Sequence, residues 1–168
     1  MKFDLPNQFI SILLGGLWHT TVPERFNQIQ QSGEILPEPP IADDLRWKTL
    51  NGPENYSFVR TLGGVSLFDF LHFDPATYSE KCPLSNWDHF VPFQNKYGEA
   101  IWIEIDREKV LDKLILPVQL VKKWKDESAY KHTLMPCIEA AHIGPLPMTS
   151  AIRAIHSAKG KEPISLLV

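Results

Sequence analysis

Apolar and polar positions change period several times along the chain, and each change predicts an element. Residues 16–20 (Gly-Leu-Trp-His-Thr) read as a short strand. Thr21 then suits an N-cap, and Pro23 suits the first helical turn, where its missing N–H costs nothing. Val22, Phe26 and Ile29 recur at spacings of four and three, so one face of the following helix is apolar. Gly33 stands where a left-handed C-terminal cap would end it. The pattern is strand, sharp corner, helix, stop.

Further along, residues 37–57 are polar and proline-rich and predict a long surface loop with room for one helical turn. Loops of that length in a compact domain are commonly functional. A Gly63-Gly64 break precedes a strand around Val-Ser-Leu-Phe-Asp-Phe (65–70). Alternation puts Ser66, Phe68 and Phe70 on one face, and Val65, Leu67 and Asp69 on the other. Residues 74–98 read as irregular, with a short helix near 85–90. In 99–106, Ile101, Ile103 and Ile105 alternate onto one face of a strand. A short helix follows over 107–114, and 118–131 suits a helix and a strand pair equally. Residues 137–144 predict a strand that Gly-Pro-Leu-Pro ends, 152–156 a last strand, and the tail beyond a loose end. Helices and strands without regular βαβ alternation argue for an α+β fold. The whole chain, 1–168, fits one domain with its core over about 15–156.

Composition narrows the function classes. The chain is 43% hydrophobic and 22% charged, with a formal charge of −3 and no long run of Lys or Arg, so the basic footprint of a nucleic-acid binder is missing. The apolar stretch 9–18 is broken by two glycines and is too short to span a bilayer. It also lacks the basic start and small-residue cleavage site of a signal peptide. The expectation is a cytoplasmic protein whose two cysteines, Cys82 and Cys137, are reduced thiols. No HExxH, paired CxxC, GxGxxG, GxxxxGK[ST] or GxSxG pattern occurs, so metal, Rossmann, P-loop and serine-hydrolase sites are not indicated.

Three constellations remain. His19 ends a strand whose unpaired backbone groups face a cleft, and its imidazole there suits a ribose hydroxyl; it equally suits a core or capping role. Glu139 falls on a strand face with Cys137, Ala141 and Ile143. A carboxylate on an apolar face is costly to bury unpaired, so it marks either a site or a structural ion pair. Ser66 beside Phe68 suits a pocket for a flat ring, because an aromatic face stacks on a planar heterocycle; the same row also suits a plain core. Tyr78 is a second ring of that kind.

Taken together, Leu-Trp-His-Thr-Thr with its helix and Gly33, then Gly-Gly-Val-Ser-Leu-Phe-Asp-Phe, then Ile-Trp-Ile-Glu-Ile-Asp, then residues 137–152 resemble the ADP-ribosyltransferase superfamily over roughly 15–155. The likeness is to its small bacterial members, including the DNA-targeting toxin type. The resemblance implies a split mixed or antiparallel sheet with peripheral helices, and NAD as the substrate of ADP-ribosyl transfer. It implies DNA, RNA or protein as acceptor, a toxin or defence role, and an antitoxin or inhibitor as partner; the short 9–18 stretch adds the expectation of no membrane association. His19 matches the histidine that holds the adenosine-side ribose, and Thr20 the small hydroxyl after it. Ser66 falls in the strand that supports the nicotinamide side. Glu139 matches the glutamate that bonds the nicotinamide ribose and stabilises its developing charge. The chain departs from the family twice. Tyr78 is the available ring for the tyrosine of the His-Tyr-Glu subgroup, since Phe68 and Phe70 lack hydroxyls. Cys137 occupies the position two before Glu139, where members that modify arginine carry Glu or Gln. The same likeness covers a 2′-phosphotransferase-like or NAD-hydrolysing relative, and a binding module that takes a nucleotide or partner without chemistry.

Overall fold

A computed structural model describes residues 5–46, 52–85, 87 and 98–168. Its strands are β1 (Leu17–Thr21), β2 (Glu34–Ile35), β3 (Gly64–Asp69), β4 (Glu99–Ile105), β5 (Leu114–Ile115), β6 (Glu139–Ile143), β7 (Leu146–Pro147), β8 (Ala151–Ala158) and β9 (Ile164–Leu166). The helices are α1 (Leu5–Leu13), α2 (Pro23–Ser32), α3 (Phe58–Thr61), α4 (Pro75–Lys81), α5 (Arg107–Val110) and α6 (Pro117–Asp126). Seven strands form one sheet in the order β5-β6-β3-β1-β4-β8-β9, and β2 pairs with β7 in a second. All ladders between these strands are antiparallel, so the fold is α+β with a mainly antiparallel sheet.

The period-two alternation of the strands splits the core by sheet face. Leu17, Val65, Leu67, Ile101, Ile103 and Ile105 are buried together on one face, where Phe26 of α2 covers them. Trp18, Phe68, Phe70 and Trp102 are buried on the other, against Phe9 and Leu13 of α1 and Tyr78 of α4. A third cluster joins Phe58 and Val59 of α3 to Leu120 of α6 over Ala141. Each large side chain so buried contributes about 1.5–3 kcal/mol, which offsets the cost of ordering the strands.

Two glycines shape the start of the sheet. Gly15 adopts φ 79° and turns the chain out of α1. Gly16 lies under the Trp18 indole, where a Cβ would collide with the ring. That close approach lets Trp18 Nε1–H donate to the Leu13 carbonyl at 2.9 Å.

Several expectations shift. Thr21 is the last residue of β1, paired with Ile101, and the N-cap of α2 is Val22, whose backbone is extended and whose side chain caps nothing. Pro23 at the first turn removes one N–H from those needing a cap. Gly33 ends α2 at φ 76°, and its N–H bonds the Ile29 carbonyl. Among its described residues, the 37–57 loop carries two single 3₁₀ turns, Asp43–Leu45 and Pro53–Asn55. The helix expected over 107–114 stops at Val110 and passes through a 3₁₀ turn into β5. Residues 118–131 resolve in favour of the helix, α6. The helix expected near 85–90 lies outside the described residues apart from 85 and 87. The tail is not loose, because β9 pairs with β8 at Ala154↔Leu166, Ile155↔Ser165 and His156↔Ile164. The core also reaches back before residue 15, since Phe9 and Leu13 are fully buried.

Candidate functional site

The site begins where two neighbouring strands part. β1 and β3 pair only at Leu17↔Asp69 and Trp18↔Phe68. Beyond Trp18, β1 stays paired with β4 through Thr21, while β3 stays paired with β6 back to Gly64. Along β3, alternate residues bond alternate neighbours: Asp69 N–H donates to Ile138, whereas Phe70 exchanges bonds with Gly15 and Gly16 on the β1 side. By that alternation the Ser66 carbonyl also faces β1, where the ladder has ended. The His19 ring takes the place of the missing strand N–H, its Nδ1 donating to the Ser66 carbonyl at 3.1 Å. A carbonyl only accepts, so this bond fixes the tautomer with the proton on Nδ1 and leaves Nε2 as an acceptor. Burial pushes the His19 pKa below the ordinary 6.5, and the Ser66 bond opposes that only in part, so the ring is neutral near pH 7.

Ser66 turns its side chain the other way, to β6. Its hydroxyl donates to Glu139 Oε1 at 2.7 Å. The other carboxylate oxygen accepts the Met135 N–H at 2.8 Å, and Glu139 N–H returns a bond to the Met135 carbonyl at 3.0 Å. Glu139 is 4% exposed. Burial raises its pKa above the ordinary 4.5; the bonds from Met135 and Ser66 work against that rise.

These side chains line a groove of about 940 Å³, the size of a site for a dinucleotide or a drug-sized ligand. His19, Thr20, Ser66, Phe68 and Glu139 all contribute to its wall. Thr20 Oγ1 is buried there with no hydrogen-bond partner, a donor and acceptor left for something in the groove. Five of the six residues singled out in the sequence are thus brought together. Tyr78 is the exception. It is buried in the aromatic cluster beneath α4, its hydroxyl donates to Ser85 Oγ at 2.8 Å, and it does not line the groove. Its place in α4 follows from the helical period of 75–81, a stretch expected to be irregular. Cys137 also departs from expectation: it lies before β6 in a turn at φ 69°, so it does not share the strand face of Glu139.

The opposite wall comes from the loop after β2. Pro37, Pro39 and Ile41 line the groove, and a polar cluster ties them down. Arg60 of α3 grips Glu38 through Nε at 2.6 Å and Nη2 at 3.0 Å, and reaches Asp43 at 2.8 Å. Arg46 Nη2 donates at 2.6 Å to Glu38 Oε2, the oxygen that Arg60 Nη2 also bonds. The Tyr56 ring lies beneath the Arg60 guanidinium, 3.3 Å from its centre, while the Tyr56 hydroxyl donates to Asp43 at 2.9 Å. Burial works to lower the Arg60 pKa, but the bonds to Glu38 and Asp43 outweigh it and raise it. Both arginines line the groove, and Arg60 Nη1 and Arg46 Nε are buried without hydrogen-bond partners. Spacing gave no sign of this cluster, because its members span residues 38–60 and meet only once the loop folds back on α3.

Among the described residues no group of three or more His, Cys, Asp or Glu could hold a metal ion, and no helix is long and apolar enough to cross a membrane. No protein-family model, curated protein or solved structure matches this chain.

Proposed function

We propose that this chain is an NAD-dependent ADP-ribosyltransferase-like enzyme, with the groove between β1 and β3 as its NAD site. The observation that carries the reading is the pairing of a buried Glu139 with the Ser66 hydroxyl, in the same groove as a neutral His19 whose Nε2 is left as an acceptor. Cleavage of the bond between nicotinamide and ribose builds positive charge on the ribose. A carboxylate in a water-poor groove stabilises such charge strongly. Ser66 and the Met135 N–H fix the orientation of that carboxylate in advance, so little reorganisation is needed at the moment of reaction. His19 Nε2 accepts a hydroxyl of the adenosine-side ribose, and Thr20 Oγ1 bonds the neighbouring part of the dinucleotide. Holding both ends of NAD keeps leaving group and acceptor in line. The acceptor is DNA, RNA or protein in a toxin or defence setting, or water in an NAD-hydrolysing variant. The finer family fold, a split sheet around NAD, is part of the same proposal.

A second reading has its own support: both Glu139 oxygens already have partners inside the protein, as in a structural carboxylate. On that reading the groove binds a nucleotide or a partner without chemistry. Incubation with NAD labelled separately in the nicotinamide and adenylate halves tests both. Release of nicotinamide, with adenylate label on added nucleic acid or protein or left as free ADP-ribose, supports the enzyme. Saturable NAD binding without nicotinamide release supports the binding module, and no binding at all overturns the NAD reading.

A further inference from the structure

The groove has a second histidine, held in the same manner as the first. His132 lines its wall, half-buried, in the segment between α6 and β6. Its Nδ1 donates to the Tyr56 carbonyl at 2.8 Å. A carbonyl only accepts, so in the neutral ring the proton sits on Nδ1 and Nε2 is left as a lone-pair acceptor. Nε2 has no hydrogen-bond partner among the described residues. Two further bonds fix the backbone that carries the ring. The His132 N–H donates to the Ala129 carbonyl at 3.0 Å, and the His132 carbonyl accepts the Trp124 indole N–H at 3.0 Å.

The residues that follow tie this histidine to the buried carboxylate. Thr133 pairs with Ser57, and its carbonyl accepts the Phe58 N–H at 2.9 Å. Met135 then gives its N–H to Glu139 Oε2 at 2.8 Å. His132 and Met135 are three positions apart in the sequence. Their α-carbons are therefore separated by at most about 11 Å, the reach of a fully extended chain. His132 and Glu139 thus share one part of the groove, where a single ligand of dinucleotide size meets both.

We propose that His132 is the general base that takes the acceptor's proton in ADP-ribosyl transfer, a role that rests on the NAD reading above. The acceptor O–H or N–H attacks ribose C1′ with a lone pair. The bond from C1′ to the nicotinamide nitrogen breaks, and its electron pair returns to the pyridinium ring, which leaves as neutral nicotinamide. The acceptor's proton passes to His132 Nε2, and the imidazolium later gives it to water. Glu139 does not suit this task. Taking the proton would discharge the carboxylate that stabilises the ribose cation, and each of its oxygens already accepts a bond. His19 Nε2 is occupied by the adenosine-side ribose on the same reading. Glu34, the other carboxylate on the groove wall, belongs to β2 in the second sheet.

The test uses a nucleophile that needs no base. Water must give up a proton as it attacks, whereas azide is an anion with none to lose. NAD labelled in the adenylate half is incubated with the full-length wild type, His132→Ala and His132→Asn, with and without sodium azide. Nicotinamide, ADP-ribose and ADP-ribosyl azide are separated by chromatography, and circular dichroism confirms that each chain is folded. The asparagine amide stands near the place of Nδ1 and keeps a donor for Tyr56, but brings no basic nitrogen. Both variants should form ADP-ribose about a hundredfold more slowly than the wild type, as expected for loss of a general base. Azide should return their nicotinamide release to near the wild-type rate, with ADP-ribosyl azide as product. It should not rescue Glu139→Gln, whose defect lies in stabilising the ribose charge. Near wild-type hydrolysis by His132→Asn would overturn the proposal, because the ring would then serve only to tie the loop to Tyr56. A loss that azide leaves unrestored would overturn it too. A wild type that releases no nicotinamide in either medium overturns the base together with the enzyme reading, so the two failures are told apart.

Discussion

The Ser66 hydroxyl and the Glu139 carboxylate are joined across two antiparallel strands at 2.7 Å, in a register that sets Ser66 opposite Ala141 and Phe68 opposite Glu139. The pair is therefore diagonal on one sheet face, and the small Ala141 leaves the serine free to lean toward the acid. Replacing Glu139 with Gln keeps the shape and removes the buried charge. The amide oxygen can accept the Met135 N–H while the amide NH2 donates to the Ser66 hydroxyl, so both contacts can persist while the desolvation cost of the charge disappears. The fold should survive, with turnover of NAD down about a hundred- to a thousandfold, the usual loss for one charge-stabilising group. Nicotinamide release at near the wild-type rate from a folded Glu139→Gln chain would show that the carboxylate is structural.

The raised pKa of Glu139 gives a pH signature for stability. In the folded chain the carboxyl keeps its proton to a higher pH than the ordinary 4.5 of the unfolded chain. Between those two values the folded state binds more protons, so stability falls as pH rises through that window. Ser66→Ala removes a bond that favours the charged form and so widens the window upward. At neutral pH it should cost about 1–2 kcal/mol, a drop in melting temperature of roughly 2–8 °C. Glu139→Gln should flatten the window altogether. Thermal melts of the three proteins from pH 4 to 8 check this, and indistinguishable pH profiles would contradict it.

Much of this was legible in the sequence, and what was not has identifiable causes. The alternation of Ile101, Ile103 and Ile105 marked a strand because one face of it packs under α2. Gly33 marked a helix end because a left-handed backbone favours glycine there. Glu139 and Ser66 could each be singled out, but their pairing depends on the register between β3 and β6, which no local pattern carries. The first helix was missed because its apolar run was weighed only as a membrane or signal segment, although Asp4 and Pro6 at its start and Gly15 just past its end are the start and stop signals of a helix. Tyr78 was misplaced because a seven-residue helix beside a proline looks like loop. Arg60 stayed invisible because its function comes from carboxylates on a loop 17 and 22 residues away.

That loop should open when its clasp is cut. Arg60 holds Glu38 and Asp43 at once, and among the described residues it is the only side chain bonded to both of them at 3.0 Å or less. Arg60→Ala should leave the sheet intact and speed hydrogen exchange of amides in 37–46 roughly tenfold relative to those in β3 and β4. Acid should act the same way. The Arg60 bond, followed by the Tyr56 bond, lowers the Asp43 pKa below the ordinary 3.8. Its contribution is therefore complete above the ordinary aspartate range and lost as pH falls through the lowered value. Asp43→Asn should reduce the acid dependence of loop exchange while the Glu38 bonds remain, and a loop equally protected in all three proteins would mean that the prolines alone hold it.

His19 carries the sharpest prediction, because one side chain serves the fold with one nitrogen and leaves the other available. Its Nδ1–H closes the backbone gap at Ser66, where β1 and β3 part. Removing the ring in His19→Ala takes away the Ser66 carbonyl's side-chain donor, at a cost of about 1 kcal/mol and a drop of roughly 2–4 °C in melting temperature. If Nε2 accepts a ribose hydroxyl, the same change should raise the dissociation constant for NAD about tenfold. His19→Asn separates the two tasks, since its short amide can donate to Ser66 but reaches less far into the groove: it should recover much of the stability and little of the affinity. The ring's lowered pKa adds a further check. In the unfolded chain it takes a proton near 6.5, in the folded chain only at lower pH. The unfolded state thus binds more protons below 6.5, and the stability this gives the wild type is lost as pH falls from 6.5 through the folded value. His19→Ala should lose that slope. Calorimetric titration with NAD, beside melts from pH 5 to 8, reads all of this, and an unchanged NAD affinity in a destabilised His19→Ala would leave the histidine as a bridge between strands and nothing more.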